Sequence, residues 1–115
     1  MTLDILVVDD LASMRKCLIL AFADHTDKIR CEEAKSGQIA LDMFKARYYD
    51  IVILVYNMAP GINGYETAQE LRKVSSDVKL VGFSSSWAKQ EANTIGIDFF
   101  SGSLREVVAY VNTLL

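Results

Sequence analysis

The chain has 115 residues, 51% of them hydrophobic and 23% charged, with a net charge of -3. That is enough for one domain with a core that needs no disulfide or metal staple, and it excludes a disordered chain. The mildly acidic balance leaves no electrostatic footprint for nucleic acid, and no apolar run reaches the ~18 residues of a membrane helix.

The first residues carry Asp4 and lack a basic start, so no signal peptide is expected and a cytoplasmic protein is. Ile5–Val8 reads as a buried strand and ends in two acids, Asp9 and Asp10. Leu11, Met14, Leu18, Ala21 and Phe22 then recur at helical spacing, with Arg15 and Lys16 off the stripe. Cys17 falls in this helix and Cys31 in the next strand. With neither metal spacing nor a C-x-x-C pattern, both are expected to be small buried hydrophobes in a reducing compartment. His25 comes near the end of the helix, where a cation is mildly favourable, and has no ligand cluster around it.

Ile29–Ala34 is a weaker strand with exposed charges, expected at an edge. Ser36 opens a helix with Ile39, Ala40, Met43 and Phe44 on one face, and Ile51–Val55 is the most apolar strand and so central. A loop at Gly61–Gly64 leads to a helix carrying Tyr65, Ala68 and Leu71. Val78–Phe83 reads as a fourth strand, Trp87–Ile95 as a short helix and Ile97–Phe100 as the last strand. Ser103-Leu104-Arg105-Glu106 has the form of a capping box, opening a helix that buries Leu104, Val107, Val108, Val111 and Leu114. No linker, repeat or low-complexity tract interrupts the series, and a single domain over 1–115 is expected.

Strand and helix alternating about five times predict an α/β protein, a doubly wound parallel sheet with helices on both faces. Function in such sheets collects at the carboxyl ends of the strands. Those ends supply Asp9, Asp10, Val55, Asn57, Ser84 and the segment from Phe100 to Ser103. Two adjacent carboxylates suit a hard cation, and a third would be expected opposite them. The chain has Val55 there.

An ordered series of landmarks spans the chain: Leu6-Val7-Val8-Asp9-Asp10, Glu33-Ala34 with Ser36-Gly37, Asp50-Ile51-Val52-Ile53-Leu54 before Asn57-Met58, Gly61-Ile62-Asn63-Gly64-Tyr65-Glu66, Ser84, and Gly96-Ile97-Asp98 before Phe100. In these the chain resembles the receiver domain of response regulators in two-component signalling, a chemotaxis-regulator-like protein. The resemblance implies a flavodoxin-like five-stranded sheet of order 2-1-3-4-5. It also implies phosphoryl transfer to an aspartate at the end of strand three, with Mg²⁺ held by the acid pair and by a backbone carbonyl two residues past the acceptor. A Thr or Ser after strand four and a Lys after strand five would contact the phosphoryl group, and an aromatic on strand five would relay the change. Mapped residue by residue, the acid pair is Asp9 and Asp10, the acceptor position is Val55, the carbonyl is that of Asn57, the hydroxyl is Ser84, the aromatic is Phe100, and the lysine position holds Ser103. The loop Asn57-Met58-Ala59-Pro60-Gly61 is one residue longer than the family's usual form; aligned on Pro60, the acceptor position would fall on Tyr56, also not an aspartate.

Simpler roles stand beside these. Asp10 suits a helix N-cap, Asp9 an exposed turn and Ser84 a polar strand end. Phe83, Trp87, Phe99, Phe100 and Tyr110 suit either the core or a partner surface formed by the last strand and its flanking helices. Asp50 begins its strand, about 17 Å from the acceptor position, and cannot substitute for the missing acid. Lys79 fails as a replacement lysine for the same reason, whereas Arg105 could reach the pocket from the first turn of the last helix. The reading is a receiver-type protein-interaction module that is not an enzyme. Its partner would be another signalling protein such as a kinase or effector, and it would have no certain cofactor beyond weak Mg²⁺ at Asp9 and Asp10. The alternative is a conventional phosphorylatable receiver carrying an inactivating Asp-to-Val change at Val55. A flavin or nucleotide binder on the same fold lacks the glycine-rich phosphate loop it would need.

Overall fold

A computed structural model describes residues 2–23 and 27–115. His25 lies outside the described residues. Ten elements follow in strict alternation: β1 (Leu3–Val8), α1 (Ala12–Ala21), β2 (Ile29–Ala34), α2 (Gly37–Ala46), β3 (Ile51–Leu54), α3 (Gly64–Val74), β4 (Lys79–Phe83), α4 (Lys89–Ile95), β5 (Phe99–Ser101) and α5 (Leu104–Asn112). The five strands form one parallel sheet of order β2-β1-β3-β4-β5. This is the chemotaxis-regulator-like, flavodoxin-like fold.

The period-two geometry of a strand divides the core in two. Leu6 and Val8 of β1 join Val52 and Leu54 of β3 on one face, against Ala40, Leu41 and Phe44 of α2 and Ala68 and Leu71 of α3. Ile5, Val7, Ile51 and Ile53 point the other way, against Leu18 and Phe22 at α1 and Val107 and Val111 of α5. Every residue of β3 is buried, as its position between β1 and β4 requires.

The first helix differs from the expected stripe. Leu18 and Phe22 are buried, but Cys17 is exposed, one step round the helix from Leu18, and Leu11 is 57% exposed. Leu11 is the N-cap residue and has extended backbone, so it leaves the helical stripe before the stripe begins. Cys31 comes closer to the expectation without being fully buried: it packs in part against the core, and burial pushes its thiol up to about 11.

Two boundaries also shift, and one cap differs. Trp87 is not in α4, which starts at Lys89; its indole turns into the core instead. β5 starts at Phe99, because Asp98 uses its own backbone N–H on the Leu80 carbonyl (2.9 Å) and its carboxylate on the Leu80 N–H (2.8 Å). At α5 only half of the capping box forms. Ser103 Oγ accepts from the Glu106 N–H at 3.3 Å, while the Glu106 carboxylate takes the Ser101 hydroxyl rather than reaching back to Ser103. The complete box is at α3, where Asn63 and Glu66 exchange bonds of 2.8 and 3.0 Å.

Candidate functional site at the carboxyl edge of the sheet

An open cleft of about 310 Å³ lies over the carboxyl ends of β1, β3 and β4. Asp9, Asp10, Val55, Asn57 and Ser84 all line it, so the fold brings five of the seven expected positions together. Phe83, Ser85 and Gly102 complete the wall toward β5, with Leu11 and Met14 on the α1 side. Phe100 and Ser103 do not line the cleft. Phe100 packs against the core on the α2 and α3 side, and Ser103 caps α5. Arg105 is exposed and is not among the lining residues either.

Asp9 is the buried member of the acid pair, 3% exposed, so it is not an exposed turn acid. Its backbone N–H continues the sheet onto the Ala34 carbonyl at 3.1 Å, and its Oδ1 accepts from the Leu11 N–H at 2.9 Å. Asp10 is exposed and is not the helix cap; Leu11 occupies that place with no side-chain bond. Burial raises the Asp9 pKa. The Leu11 N–H opposes the rise, Asp10 adds to it, and the nearby Arg15 also pulls it down.

Arg15 is the residue that the sequence pattern hid. Placed off the apolar stripe, it turns back from the first turns of α1 with its side chain only 14% exposed. One guanidinium nitrogen donates to the Asp9 carbonyl at 2.6 Å and another to Glu33 at 2.8 Å. The signal for it was the strand register: Glu33 of β2 is the partner of Val7, beside the acid pair.

On the other flank Val55 follows β3 directly. Its N–H donates to the Val8 carbonyl at 3.2 Å, fixing it beside Asp9, and its side chain is half-buried. Gly64 comes so close that a Cβ there would stand 2.1 Å from the Val55 carbonyl oxygen, and its N–H donates to the Tyr56 carbonyl at 2.6 Å. Only glycine permits that approach. Ser84 Oγ accepts from the Ser86 N–H at 3.0 Å, and Asn57 donates its side-chain amide to Ser86 Oγ at 3.2 Å. The loop after β4 is thus tied to the loop after β3.

Among the described residues no group of three His, Cys, Asp or Glu side chains converges as metal ligands. Two carboxylates are available at the cleft. That suits a weakly held Mg²⁺ keeping most of its water, and does not make a closed cage. Asp50 accepts from the Asp4 N–H at 2.8 Å at the opposite edge and takes no part.

A family model described as the response regulator receiver domain matches residues 5–99. The chain belongs to this family. Among its relatives, a protein-glutamate methylesterase/protein-glutamine glutaminase of Geobacillus kaustophilus is 35% identical over 94 residues, covering 82% of this chain and 26% of that protein. The chain spans between 10% and 30% of the length of the curated relatives it matches. Among solved structures, the chemotaxis protein CheY4 of Vibrio cholerae superposes with a TM-score of 0.86 at 21% identity, covering 100% of both chains. The response regulator TrrA of Thermotoga maritima, solved in complex with Mg²⁺ and a beryllium fluoride, superposes at 0.81 with 31% identity over 99% of this chain and 100% of that one. This is a receiver domain of two-component signalling, and receiver domains exchange signals with kinases or effectors. No helix among the described residues is long and apolar enough to cross a membrane.

Proposed function

We propose that this receiver domain passes its signal by protein contact alone, without accepting a phosphoryl group at the end of β3. The observation that carries the reading is Val55. It stands first after β3, bonded through its backbone to Val8 and lining the cleft with Asp9 and Asp10, where the family resemblance calls for an aspartate. An aliphatic side chain has no nucleophilic oxygen, and phosphoryl transfer needs one in line with the donor.

Two further features bear on the reading. The position after β5 that would hold a lysine is Ser103, engaged in capping α5. The Ser84 hydroxyl accepts from its own loop at Ser86. Ser103 is thus committed to the cap, whereas Ser84 keeps its own O–H free to donate. On this reading the domain is not an enzyme. It is a cytoplasmic interaction module whose partner is a kinase, effector or output component, met through β5 and its flanking helices. The available surface there is narrower than the sequence suggests, since Phe83 and Trp87 are buried. Phe99, stacked on Tyr110 at 4.7 Å between centroids, and Phe100 remain half-buried.

Titration with Mg²⁺ and beryllofluoride, followed by Trp87 fluorescence, tests this. The expected result is no saturable response to beryllofluoride beyond that to Mg²⁺ alone, because the analogue needs an aspartate oxygen to attach to. A saturating change that depends on beryllofluoride would overturn the reading. The intact acid pair favours a second one, a conventional receiver disabled by substitution at Val55. Val55→Asp separates the two: label uptake from acetyl phosphate supports substitution in a competent site, and continued inertness supports a site remodelled throughout.

A further inference from the structure

A receiver without phosphate still has to hold one conformation, and the residues just past Val55 make a device for doing so. Tyr56 donates its hydroxyl to the Glu91 carboxylate of α4, with both oxygens in reach at 3.0 and 2.8 Å. The Tyr56 ring meets Trp87 edge to face, 5.2 Å between centroids and 87° between planes. The Trp87 indole N–H in turn donates to the carbonyl of Leu54, the last residue of β3, at 3.1 Å in a buried setting. Room for that indole comes from Gly82, Leu54's neighbour on β4, where a Cβ would stand 2.7–2.9 Å from indole atoms.

These contacts join the end of β3 and the residues after it to the loop before α4 and, through Glu91, to the first turn of α4. That helix has little else at this end. It is seven residues long, has no side-chain N-cap bond at Ala88, and buries only Ala92. Its other end is held separately, by Arg72 of α3 donating to the carbonyls of Ile95 at 3.3 Å and Gly96 at 2.6 Å. A helix pinned independently at its two ends, with one pin adjoining Val55, can be released at that pin alone.

We propose that Tyr56, Trp87 and Glu91 form a clasp that sets the position of α4 and the preceding loop in place of a phosphoryl-dependent contact. The regulatory meaning of the clasp rests on the phosphate-independent reading; the clasp itself does not. A partner that competes for Glu91 or displaces the Tyr56 hydroxyl would free the N-terminal end of α4 while Arg72 keeps the far end in place. The two states would differ by one charge-assisted hydrogen bond and one aromatic contact, a difference that a bound protein can supply.

Amide hydrogen exchange on the full chain, without any phosphodonor, tests the clasp. Tyr56→Phe removes the hydroxyl and keeps the ring; Glu91→Ala removes the acceptor from a partly exposed position. Each variant is expected to speed exchange about tenfold or more at 85–92, as loss of a charged hydrogen bond would, with β1 and β3 unchanged. In the double variant the effect should be no larger than in the stronger single one, because both act on the same bond. Unchanged exchange at 85–92 in both single variants, or a uniform rise across the whole domain, would overturn the clasp. Acetyl phosphate labelling of the unmodified protein is scored separately. Local loosening with labelling keeps the clasp and loses the phosphate-independent reading, whereas inertness with no local loosening does the reverse.

Discussion

The two flanks of the cleft have been treated differently. On the β1 side charge dominates: Asp9 is buried, Asp10 is exposed beside it, and Arg15 bridges the Asp9 backbone to Glu33. On the β3 and β4 side packing dominates: Val55 lines the cleft, Tyr56 and Trp87 meet edge to face, and the indole is seated over Gly82. The first flank carries negative charge, partly offset by the Arg15 guanidinium. The second is built to stay still. On the proposed reading, such a cleft can bind and position but lacks the nucleophile for group transfer.

The contrast predicts unequal costs of disruption. Trp87→Ala should be the most damaging change, about 3–5 kcal/mol, since it empties a buried aromatic site and strands the Leu54 carbonyl. Denaturant unfolding would measure it, and a loss under about 1 kcal/mol would mean the aromatic flank is ornamental. Arg15→Ala on the charged flank should cost less, about 1–2 kcal/mol, and the loss should shrink in high salt because Glu33 is half-exposed. A salt-independent loss would point to packing of the Arg15 stem instead. Ser103→Ala should cost about 1 kcal/mol through the α5 cap, with no change in cation affinity at Asp9 and Asp10. A changed Mg²⁺ affinity would put Ser103 back into the cleft.

The smallest effect concerns pH. The folded-state pKa of Asp9 lies above its ordinary value of 3.8, chiefly through burial. Between those two values the folded protein binds more protons than the unfolded chain. Stability from this group therefore falls as pH rises from below 3.8 through the folded pKa, and stays lower above it. Replacing Asp9 by Asn should flatten that component of the stability–pH curve in acid solution. A variant curve parallel to the original would remove Asp9 as its source.

Much of this was legible in the chain because strand patterns are local. Ile5–Val8 and Ile51–Leu54 are apolar runs of strand length, and alternation with helix-period segments leaves a doubly wound sheet as the natural outcome. The carboxyl-edge rule then gathers Asp9, Asp10, Val55, Asn57 and Ser84 into one cleft. What was not legible depends on contacts across the fold. Cys17 shares an apolar stretch with Leu18, and only the angle of α1 on the sheet decides which of them faces solvent. Arg15 needed the register between β1 and β2. Trp87 looked like a helical residue because nothing nearby announces that it folds back; the slot that admits it lies at Gly82 on β4. Glu106 had a suitable spacing from Ser103 but a better partner in Ser101.

The most direct test is an intact-mass spectrum of the unmodified protein after incubation with Mg²⁺ and acetyl phosphate, quenched under conditions that preserve acyl phosphates. The account predicts a single unmodified species. A labile phosphoryl adduct that disappears in the Asp9→Asn or Asp10→Asn variant would contradict it, because a carboxylate in that cleft would then be accepting the group that Val55 cannot.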